Sequence, residues 1–364
     1  MTITATGAIS FSDLRTEFVG GSSAISLGDL YRGGSNIRKK ASDNTATNDA
    51  ASVPTGGAID MADFYGTAKS FTKTYSSGAT NQDASAVFGD DYDVDYPKNI
   101  VINSGVELGA TSTSEEALEI PAGAAGTITI TNNGTISGAG GAAGGGTGGN
   151  AFKAAVACTL VNNGTIRAGG GGGGAGGTGG QGSYTTSTYT YNVSNNYWYT
   201  HNYSYNHYAI RYNGNWVRGS YFSSTSQMIN DTNQTSWSIY TRTGNYQHQT
   251  SDEDGQPFRR FAYYRSGTGY SNGGSGGAGG KGQGYVSANA SGSSGASGSN
   301  NSGAGGTGGT GGTYGNSGGT GNTGANGNYT NGSAGSSGGA AGKYITGISF
   351  VTYTNNGTNL GGTA

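Results

Sequence analysis

The residues best suited to recognition chemistry are concentrated in one stretch of the chain, 184–270. Of the 25 tyrosines in the 364 residues, 15 lie there, with all three tryptophans and all three histidines. Tyrosine and tryptophan offer large, rigid contact areas at low entropy cost, and serine and asparagine add adaptable hydrogen bonds. Aromatic rings also stack on sugar rings. The composition therefore predicts a binding surface, with some of the aromatic residues packing a small β-subdomain.

The order of residues within this stretch predicts β-strands. Large residues recur at every second position at Tyr189, Tyr191 and Val193, and again from Tyr197 to Tyr205. Asn213-Gly214 then predicts a hairpin turn before Trp216. We expect the ligand contacts to come from aromatic and arginine side chains. These are Trp198, Tyr199, Trp216, Arg218, Tyr221, Trp237, Tyr240 and Arg242.

Acidic residues give weaker signals for metal binding and catalysis. Asp91, Asp93 and Asp95 would share one side of an extended segment, but the glycine and the distal glutamate of an EF-hand loop are missing. The run Asp252-Glu253-Asp254 could supply one carboxylate of a glycosidase, which needs a second roughly 5–10 Å away. Solvated acidic segments are the favoured interpretation of both. We therefore expect no catalytic residue, no metal site and no cofactor.

Composition excludes several classes of protein. The chain has 75 glycines, 4 prolines, 10% charged residues and a net charge of −2, so it lacks the basic footprint of a nucleic-acid-binding protein. The low content of aliphatic residues argues against an enzyme built on one large apolar core, and 10% aromatic residues argue against disorder. A single cysteine, Cys158, excludes an intramolecular disulfide framework. No signal peptide or membrane-spanning helix is predicted.

Many of the glycines recur at every third position. This holds from Gly303 to Gly327, from Gly170 to Gly182 and from Gly273 to Gly282. Flexible linkers have no reason to keep a period, whereas three residues is the period of the polyproline II conformation. Collagen shares that period but needs proline. The spacing therefore predicts a bundle of polyglycine II helices whose N–H and C=O groups pair between neighbours. A disordered low-complexity spacer is the alternative.

Short β-prone runs lead into these tracts. They include Asn99–Asn103 and the alternating run Gly126–Thr131. The sequence Asn132-Asn133-Gly134-Thr135-Ile136 recurs 30 residues later at 162–166, and its turn recurs at 355–358. Asn-Gly predicts a tight turn because both residues tolerate positive φ. Strand, turn, strand and tract therefore form one repeated unit.

Three N-terminal stretches share the pattern of a helix start. Ser10/Asp13, Ser26/Asp29 and Asp60/Asp63 are spaced as capping boxes, and apolar residues flank each pair as a hydrophobic staple. Gly20-Gly21 should end the first helix near Phe18. Such short helices must pack on each other or on a partner. The intervening stretch, Ser35 to Ser52 with Arg38-Lys39-Lys40, is interpreted as a solvated loop, with a docking surface as the alternative.

Two resemblances follow from these motifs. The phrases ISFSDLRTEF, ISLGDLYRG and GGAIDMADFYG, within residues 7–67, resemble the N-terminal region of tail-fibre and other structural proteins of tailed bacteriophages, which implies attachment to the virion. The glycine tracts within 126–343 resemble the tip adhesins of T-even-like phages. That resemblance implies a polyglycine II sandwich whose connecting loops touch the host receptor. Two features depart from it, namely the single long insert and the virion-attachment N-terminus.

Together these observations predict a mainly β, elongated, fibre-like protein with a polyglycine II helix bundle and short N-terminal helices. The predicted segments are an attachment region (1–68), a β-rich connector (69–137), glycine tracts (138–183), the receptor-binding insert (184–270), a second glycine-rich region (271–343) and a C-terminal β segment (344–364).

The predicted function is that of a phage tail-fibre adhesin that binds a host-surface glycan or outer-membrane component. A purely structural virion fibre or decoration protein and a capsule depolymerase are the alternatives. Expected partners are other virion tail proteins through residues 1–68 and further copies in a homotrimer, with a monomeric tip as the alternative. We expect no nucleic acid partner and no membrane insertion. The expected location is the virion tail, after assembly in the host cytoplasm.

Overall fold

The computed structural model describes residues 2–190 and 263–364, and between them the segments 197–202, 207–212, 215–216, 241–242, 247–249 and 258–260. The chain forms two compact units. One combines Met1–Gly180 with Gly273–Ala364, and the other is Gln181–Asn272. No helix in the described part of the chain is long and apolar enough to cross a membrane.

Helices are few and short. The α-helices are α1 (Phe11–Leu14), which continues as a π-helical turn (Arg15–Val19), and α2 (Ala84–Phe88); 3-10 turns span Leu27–Leu30, Met61–Phe64, Gly89–Asp91 and Ile348–Phe350. Strands dominate the rest. In chain order they are β1 (Thr47–Asn48), β2 (Phe71–Tyr75), β3 (Ala79–Thr80), β4 (Gln82–Asp83), β5 (Lys98–Ile102), β6 (Glu107–Gly109), β7 (Leu118–Ile120), β8 (Ile128–Asn132), β9 (Thr135–Ser137), β10 (Phe152–Ala154), β11 (Cys158–Asn162), β12 (Thr165–Arg167), β13 (Gly182–Thr190), β14 (Tyr197–Asn202), β15 (His207–Tyr212), β16 (Asn215–Trp216), β17 (Thr241–Arg242), β18 (Gln247–Gln249), β19 (Phe258–Arg260), β20 (Tyr263–Ser271), β21 (Lys343–Thr346), β22 (Val351–Asn355), β23 (Thr358–Leu360) and β24 (Gly362–Thr363). The mainly β character predicted from the sequence is confirmed.

The three capped helix starts form and pack together, as the N-terminal pattern predicts. All three capping boxes are present. The Ser10 N–H donates to Asp13 Oδ2 at 2.8 Å, and the Asp13 N–H donates back to Ser10 Oγ at 3.2 Å. The first helix ends where Gly20 takes a φ of 76°, one residue beyond the predicted end. One buried apolar residue from each start joins a common core. These residues are Leu14, Leu30 and Phe64.

The interpretation of Ser35 to Ser52 as a solvated loop is wrong. Asn44, Ala46 and Asn48 in this segment are buried, and β1 pairs antiparallel with β2. Lys40 Nζ donates to the carbonyl oxygens of Asn44 and Ala46. The segment therefore covers the first edge of the sheet that begins with β2, because it supplies the strand and the polar contacts that this edge would otherwise lack.

Three parallel sheets form a β-helix in which each turn of the chain adds one strand to each sheet. The strand orders are β1-β2-β5-β8-β11-β22, β23-β12-β9-β6-β3 and β24-β21-β10-β7-β4. Apart from the β1–β2 pair these neighbours are parallel, and the register places Ile100 beside Ile130 and Ile130 beside Leu160, 30 residues apart each time. The 30-residue recurrence seen in the sequence is the length of one such turn.

The inside of the β-helix is a side-chain core. In the first of the three sheets, the strands β5, β8 and β11 alternate buried and half-buried residues along their whole length. The buried apolar residues include Ile100, Ile130 and Leu160 on these strands and Phe152 on β10. The chain therefore contains an apolar core outside its glycine-rich part, although its low aliphatic content argued against an enzyme built on one large core. Aliphatic residues are scarce in the chain as a whole because the glycine-rich part contains few of them. Those that are present are concentrated in the β-helix.

The Asn-Gly turns are corners between two sheets of the β-helix. Asn132 Nδ2 donates to Asn162 Oδ1 at 2.7 Å, and Asn162 Nδ2 donates to Asn355 Oδ1 at 2.9 Å, so the three turns stack as an asparagine ladder. Gly134, Gly164 and Gly357 do not adopt positive φ. The physical reason for glycine is instead crowding, because a Cβ at Gly164 would overlap the carbonyl oxygen of Gly134.

The glycine tracts are inserted into two turns of the β-helix, each time between a strand of the second sheet and one of the third. Tract 1 (138–144) and tract 2 (146–149) lie between β9 and β10. The others lie between β12 and β21 and are tract 3 (168–180), tract 4 (273–283), tract 5 (288–298), tract 6 (303–313), tract 7 (316–326) and tract 8 (330–342).

Tract 3 is hydrogen-bonded to six other tracts. Its N–H groups donate in turn to tract 2, tract 4 and tract 7, and each neighbour is met again three residues later. For example, Gly170 and Gly173 donate to tract 4, whereas Gly171 and Gly174 donate to tract 7. Its carbonyl groups accept from tracts 1, 6 and 8 in the same rotation. The N–H groups of tract 3 and most of its carbonyl groups are thus paired inside one chain.

Serine side chains complete this pairing where a neighbouring tract ends. Tract 2 is short and reaches only Gly169 and Gly172 of tract 3. Further along, the N–H of Ala175 donates to Ser336 Oγ at 2.7 Å, and the N–H of Thr178 donates to Ser333 Oγ at 2.8 Å. Every N–H from Gly169 to Gly180 therefore has an acceptor.

The second unit contains two antiparallel sheets. One has the strand order β13-β20-β17, and the other has the order β16-β15-β14-β19-β18. β13 and β20 pair over their full nine residues, from Gly182 opposite Ser271 to Thr190 opposite Tyr263. This ribbon is the stem through which the chain enters and leaves the unit.

Candidate functional site

In the stem of the insert, the ring of Tyr184 packs over Gly269 on the opposite strand. Tyr184 of β13 lies opposite Gly269 of β20. A Cβ built on Gly269 would lie 2.7 Å from the Tyr184 ring, so the ring occupies the space that a side chain would need. Packing of this kind fixes the register of a ribbon, because a shift by one residue would reverse the faces of all later residues.

The five-stranded sheet of the second unit, β16-β15-β14-β19-β18, carries three of the predicted contact residues. Trp198 and Tyr199 lie on β14 and Trp216 lies on β16. β15 and β16 pair antiparallel, with Tyr212 opposite Asn215. The predicted turn residues between them, Asn213 and Gly214, lie outside the described residues. Arg242 lies on β17, in the three-stranded sheet. Arg218, Tyr221, Trp237 and Tyr240 lie outside the described residues, and these site residues stay predictions.

An arginine that the sequence interpretation missed lies between two of these tryptophans. Arg211 of β15 is opposite Trp198 of β14 and opposite Trp216 of β16. Residues directly opposite each other in antiparallel strands occupy the same face of the sheet. The three residues therefore form one row across three strands. The signal was available, because a two-residue turn at 213–214 already places Arg211 opposite Trp216.

A second row of residues on the same sheet consists of a tyrosine, an isoleucine, an arginine and a histidine. Tyr199 is opposite Ile210 on one side and Arg259 on the other, and Arg259 is opposite His248. Successive residues of a strand alternate between faces. This row therefore occupies the face opposite to Trp198, Arg211 and Trp216. The structure brings Trp198 and Trp216 to one face and assigns Tyr199 to the other.

Two loops of the first unit lie near Gly180, at one end of the tracts. Gly180, after which the insert begins, donates its N–H to Ala325 near the end of tract 7, and it accepts from the N–H of Gly303 at the start of tract 6. The loop 327–330 follows tract 7 and the loop 299–302 precedes tract 6. They meet through a hydrogen bond from the Asn328 N–H to the Asn301 carbonyl. Tyr329 in the first loop is 57% exposed.

The acidic segment near residue 91 does not form a shared oxygen cluster. Asp91 ends a 3-10 turn and is fully buried, whereas Asp93 and Asp95 are exposed, so the extended segment predicted there is wrong. Burial raises the pKa of Asp91, but hydrogen bonds from the Ala41 N–H, Asn44 and Arg38 outweigh it and hold the pKa below 3.8. Arg38 Nε lies 2.5 Å from Asp91 Oδ1. Asp91 therefore anchors the covering segment 35–52.

A buried lysine lies close to this pair. Lys98 is fully buried and its Nζ donates to the carbonyl oxygens of Val94, Tyr96 and Ala125 at 2.7 to 3.0 Å. Burial lowers the pKa of Lys98. In the described residues, no three acidic, histidine or cysteine side chains gather in a way that could hold a metal ion. The Asp91 region is a structural joint between the N-terminal core and the β-helix.

Comparison with known families identifies the chain. The family model described as phage tail fibre adhesin Gp38 matches residues 70–255, which is just over half of the 364 residues. The chain belongs to the Gp38 family of phage tail fibre adhesins. The matched part includes the β-helix up to β12, tracts 1 to 3 and most of the insert. As a Gp38-family adhesin, the chain is a component of the virion tail.

One solved structure resembles this Gp38-family chain. It is the crystal structure of the gp37-gp38 adhesin tip complex of the bacteriophage S16 long tail fiber, with 16% sequence identity and a TM-score of 0.37. The similarity covers 84% of this chain and 87% of that one. No curated protein sequence matches the chain.

Proposed function

We propose that this Gp38-family chain binds the host cell through its insert, residues 184–270, and that the receptor is a glycan or an outer-membrane component of the cell surface. The observation that carries this proposal is the row Trp198–Arg211–Trp216, which brings two aromatic residues and a cation to one face of a sheet. Such a face combines stacking surfaces with a hydrogen-bond donor. We propose further that the chain assembles into the virion tail in the host cytoplasm.

The glycine tracts are proposed to be polyglycine II helices that form the scaffold of the adhesin. The support is the rotation of hydrogen bonds in tract 3, where three successive N–H groups point to three different neighbours and the pattern returns after three residues. A helix with three residues per turn and no internal hydrogen bonds has this property. Glycine is needed because neighbouring backbones approach too closely for a Cβ.

Residues 1–68 are proposed to attach the adhesin to another tail protein. Each capped helix start has an apolar residue at its first position. Leu27 and Met61 are half-buried against the N-terminal core, whereas Phe11 is exposed. Phe11 is 47% exposed. Two tyrosine hydroxyls link these helix starts to one another. Tyr31 Oη donates to the Gly57 carbonyl before the third start, and Tyr65 Oη donates to the Gly7 carbonyl before the first. Phe11 is therefore the apolar contact that this region offers to a tail-protein partner.

The attachment proposal is tested with Phe11→Asp and the matched control Ser12→Asp, which adds the same charge at the next, exposed position. We expect Phe11→Asp to reduce the amount of adhesin on purified particles, because a carboxylate would have to be buried at the joint. Ser12→Asp should leave incorporation close to wild type. Equal incorporation of both variants would contradict attachment through this surface.

The homotrimer stays a prediction, and the N–H groups from Gly169 to Gly180 find their acceptors without a second chain. The mass of the purified protein in solution decides between the two states, since one chain weighs 36.2 kDa. A single-chain mass would contradict the homotrimer.

Removal of the insert tests the receptor proposal. Replacing residues 187–266 by Asn-Gly keeps the paired base of the stem, where Thr186 lies opposite Gly267. We expect phage carrying this variant to assemble but to lose adsorption to cells that the wild-type phage infects. Retained adsorption would contradict the proposal and favour a purely structural fibre protein. Release of reducing sugars from host polysaccharide by the wild-type protein would instead favour a depolymerase.

A further inference from the structure

The tryptophan–arginine–tryptophan row belongs to a face with a second arginine. Thr200 shares the face of Trp198, because it is two residues further along β14, and Thr200 is opposite Phe258 of β19. Arg260, two residues beyond Phe258, therefore occupies the same face as Trp198, Arg211 and Trp216. Register alone thus brings two arginines and two tryptophans onto one face of the five-stranded sheet.

The basic residues of the insert are all of one kind. Residues 181–272 contain six arginines and no lysine. The described strands of this unit carry five of these arginines and no aspartate or glutamate. The guanidinium group presents a planar fork of donors that matches carboxylate and phosphate groups, whereas the lysine ammonium is a strongly hydrated point charge. The choice of arginine therefore favours a ligand with planar or multi-oxygen anionic groups.

Charged residues are distributed unevenly along the chain. Residues 1–119 hold eight basic and sixteen acidic residues, whereas residues 120–364 hold ten basic and four acidic residues. The first part thus has a net charge of −8 and the second a net charge of +6, which sum to the −2 of the whole chain. A positive region attracts anionic partners and speeds their encounter. The insert itself, residues 181–272, holds six arginines and all four acidic residues of the second part, which gives it a net charge of +2, and the proposed attachment region lies in the negative part.

Resting on the proposed function, we propose that the receptor is an anionic glycan, a sugar chain of the cell surface that carries phosphate or carboxylate groups. Trp198 and Trp216 supply stacking surfaces for sugar rings, and Arg211 between them binds the anionic group. A neutral sugar would leave the arginine without a charged partner. An anion without sugar rings would make no use of the two flanking tryptophans.

The test uses the full-length protein and a glycan purified from cells that the wild-type protein binds. The variants are Arg211→Gln, Arg211→Lys and the control Arg265→Gln, which removes an arginine from the other sheet, where it pairs with Thr188. We expect Arg211→Gln to weaken binding about tenfold or more, because a charge-assisted bidentate contact is lost. Arg211→Lys should be intermediate, and Arg265→Gln should stay within about twofold of wild type.

Chemical change of the glycan tests the same inference without any variant. Dephosphorylating the glycan, or reducing its carboxyl groups, should weaken wild-type binding by the same factor as Arg211→Gln and abolish the difference between the two proteins. Equal wild-type binding to native and neutralised glycan would overturn the proposal, and so would binding that depends instead on protease-sensitive proteins of the cell surface. In both cases the proposed function would stand. Wild-type protein that binds no cells at all would overturn the proposed function as well.

Discussion

At the scale of single residues, glycine serves two different purposes in this chain. At Gly20, which ends the first helix, it provides a positive φ. In the tracts it provides space, because carbonyl oxygens of neighbouring tracts lie where a Cβ would be. The second purpose explains why a three-residue period appears in the sequence, since one position in three faces each neighbour.

A matched pair of glycines tests this space requirement. A Cβ at Gly309 would overlap the carbonyl oxygen of Gly319 in the next tract, whereas a Cβ at Gly319 would meet its nearest atoms at an ordinary 3.4 Å. We expect Gly309→Ala, and more strongly Gly309→Val or Gly312→Val, to reduce the free energy of unfolding by about 2 kcal/mol or more. Gly319→Ala should change it by less than about 0.5 kcal/mol.

Thermal and denaturant unfolding of the purified variants would measure these changes. Equal stability of Gly309→Ala and Gly319→Ala would contradict a close-packed arrangement of the tracts, because it would mean that the additional methyl group meets no neighbour. A disordered spacer predicts that outcome.

At the scale of elements, the corners of the β-helix are held by two asparagine ladders of different burial. Asn162 is fully buried and links Asn132 to Asn355. Asn163 is exposed and links Asn133 to Asn356 at 2.9 Å in each bond. We expect Asn162→Ala to cost about 2–3 kcal/mol of unfolding free energy, because Asn162 is fully buried and its buried partner Asn132 loses a hydrogen bond. Asn163→Ala should cost less than about 1 kcal/mol, since water replaces the side chain.

Denaturant titrations of the two variants would compare these costs directly. A larger loss for Asn163→Ala than for Asn162→Ala would contradict the importance of the buried ladder.

The joint at Asp91 makes stability dependent on pH in the acid range. A carboxyl group whose folded pKa is below its unfolded value stabilises the fold above the unfolded pKa and loses this contribution as the pH falls through the folded pKa. For Asp91 the unfolded value is near 3.8 and the folded value is lower. The capping-box carboxylates Asp13 and Asp29 also have a lowered pKa, because the backbone N–H and the hydroxyl of Ser10 and of Ser26 donate hydrogen bonds to them.

We therefore expect the melting temperature to be nearly constant from neutral pH down to about pH 5 and to fall steeply below about pH 4. Asp91→Asn should lower stability at neutral pH by about 2 kcal/mol and make the fall in acid shallower. The control is Asp93→Asn, because Asp93 is exposed. Calorimetry between pH 3 and pH 7 would measure both effects, and a parallel acid curve for Asp91→Asn would contradict this assignment.

The sequence alone predicts the local elements of this fold better than their assembly. Capping boxes such as Ser10/Asp13 and the strand Lys98–Ile102 depend on neighbouring residues, so local patterns suffice. The β-helix was missed because its turns are interrupted. Asn162 and its ladder partner Asn355 are separated by all of tracts 3 to 8 and the insert, so the repeat appears as two copies and a distant remnant. The covering segment 35–52 was missed because its buried residues are asparagine and alanine.

At the scale of the whole molecule, sequence and structure contribute different parts of the candidate site. Composition locates the insert, because a run of aromatic residues between glycine tracts is visible without coordinates. Register is needed to find that Arg211 lies between Trp198 and Trp216, and that Tyr199 is on the other face. Side-chain types alone do not distinguish the two faces, since both contain aromatic residues.

The two compact units should unfold separately. The hydrogen bonds described above for tract 3 and for the β-helix join residues of the first unit to one another, across the gap between Gly180 and Gly273. We therefore expect two thermal transitions in the wild-type protein. Replacing residues 187–266 by Asn-Gly should remove one and leave the midpoint of the other within about 3 °C, because every residue of the first unit is kept.

Differential scanning calorimetry of both proteins would measure this, with Gly309→Ala as the complementary variant. That substitution should lower the transition that survives excision and leave the other unchanged, because it acts on tract 6 alone. Loss of both transitions on excision would mean that the tracts need the insert to fold. The insert would then be part of the scaffold, and loss of adsorption by the same variant would no longer identify it as the receptor-binding part.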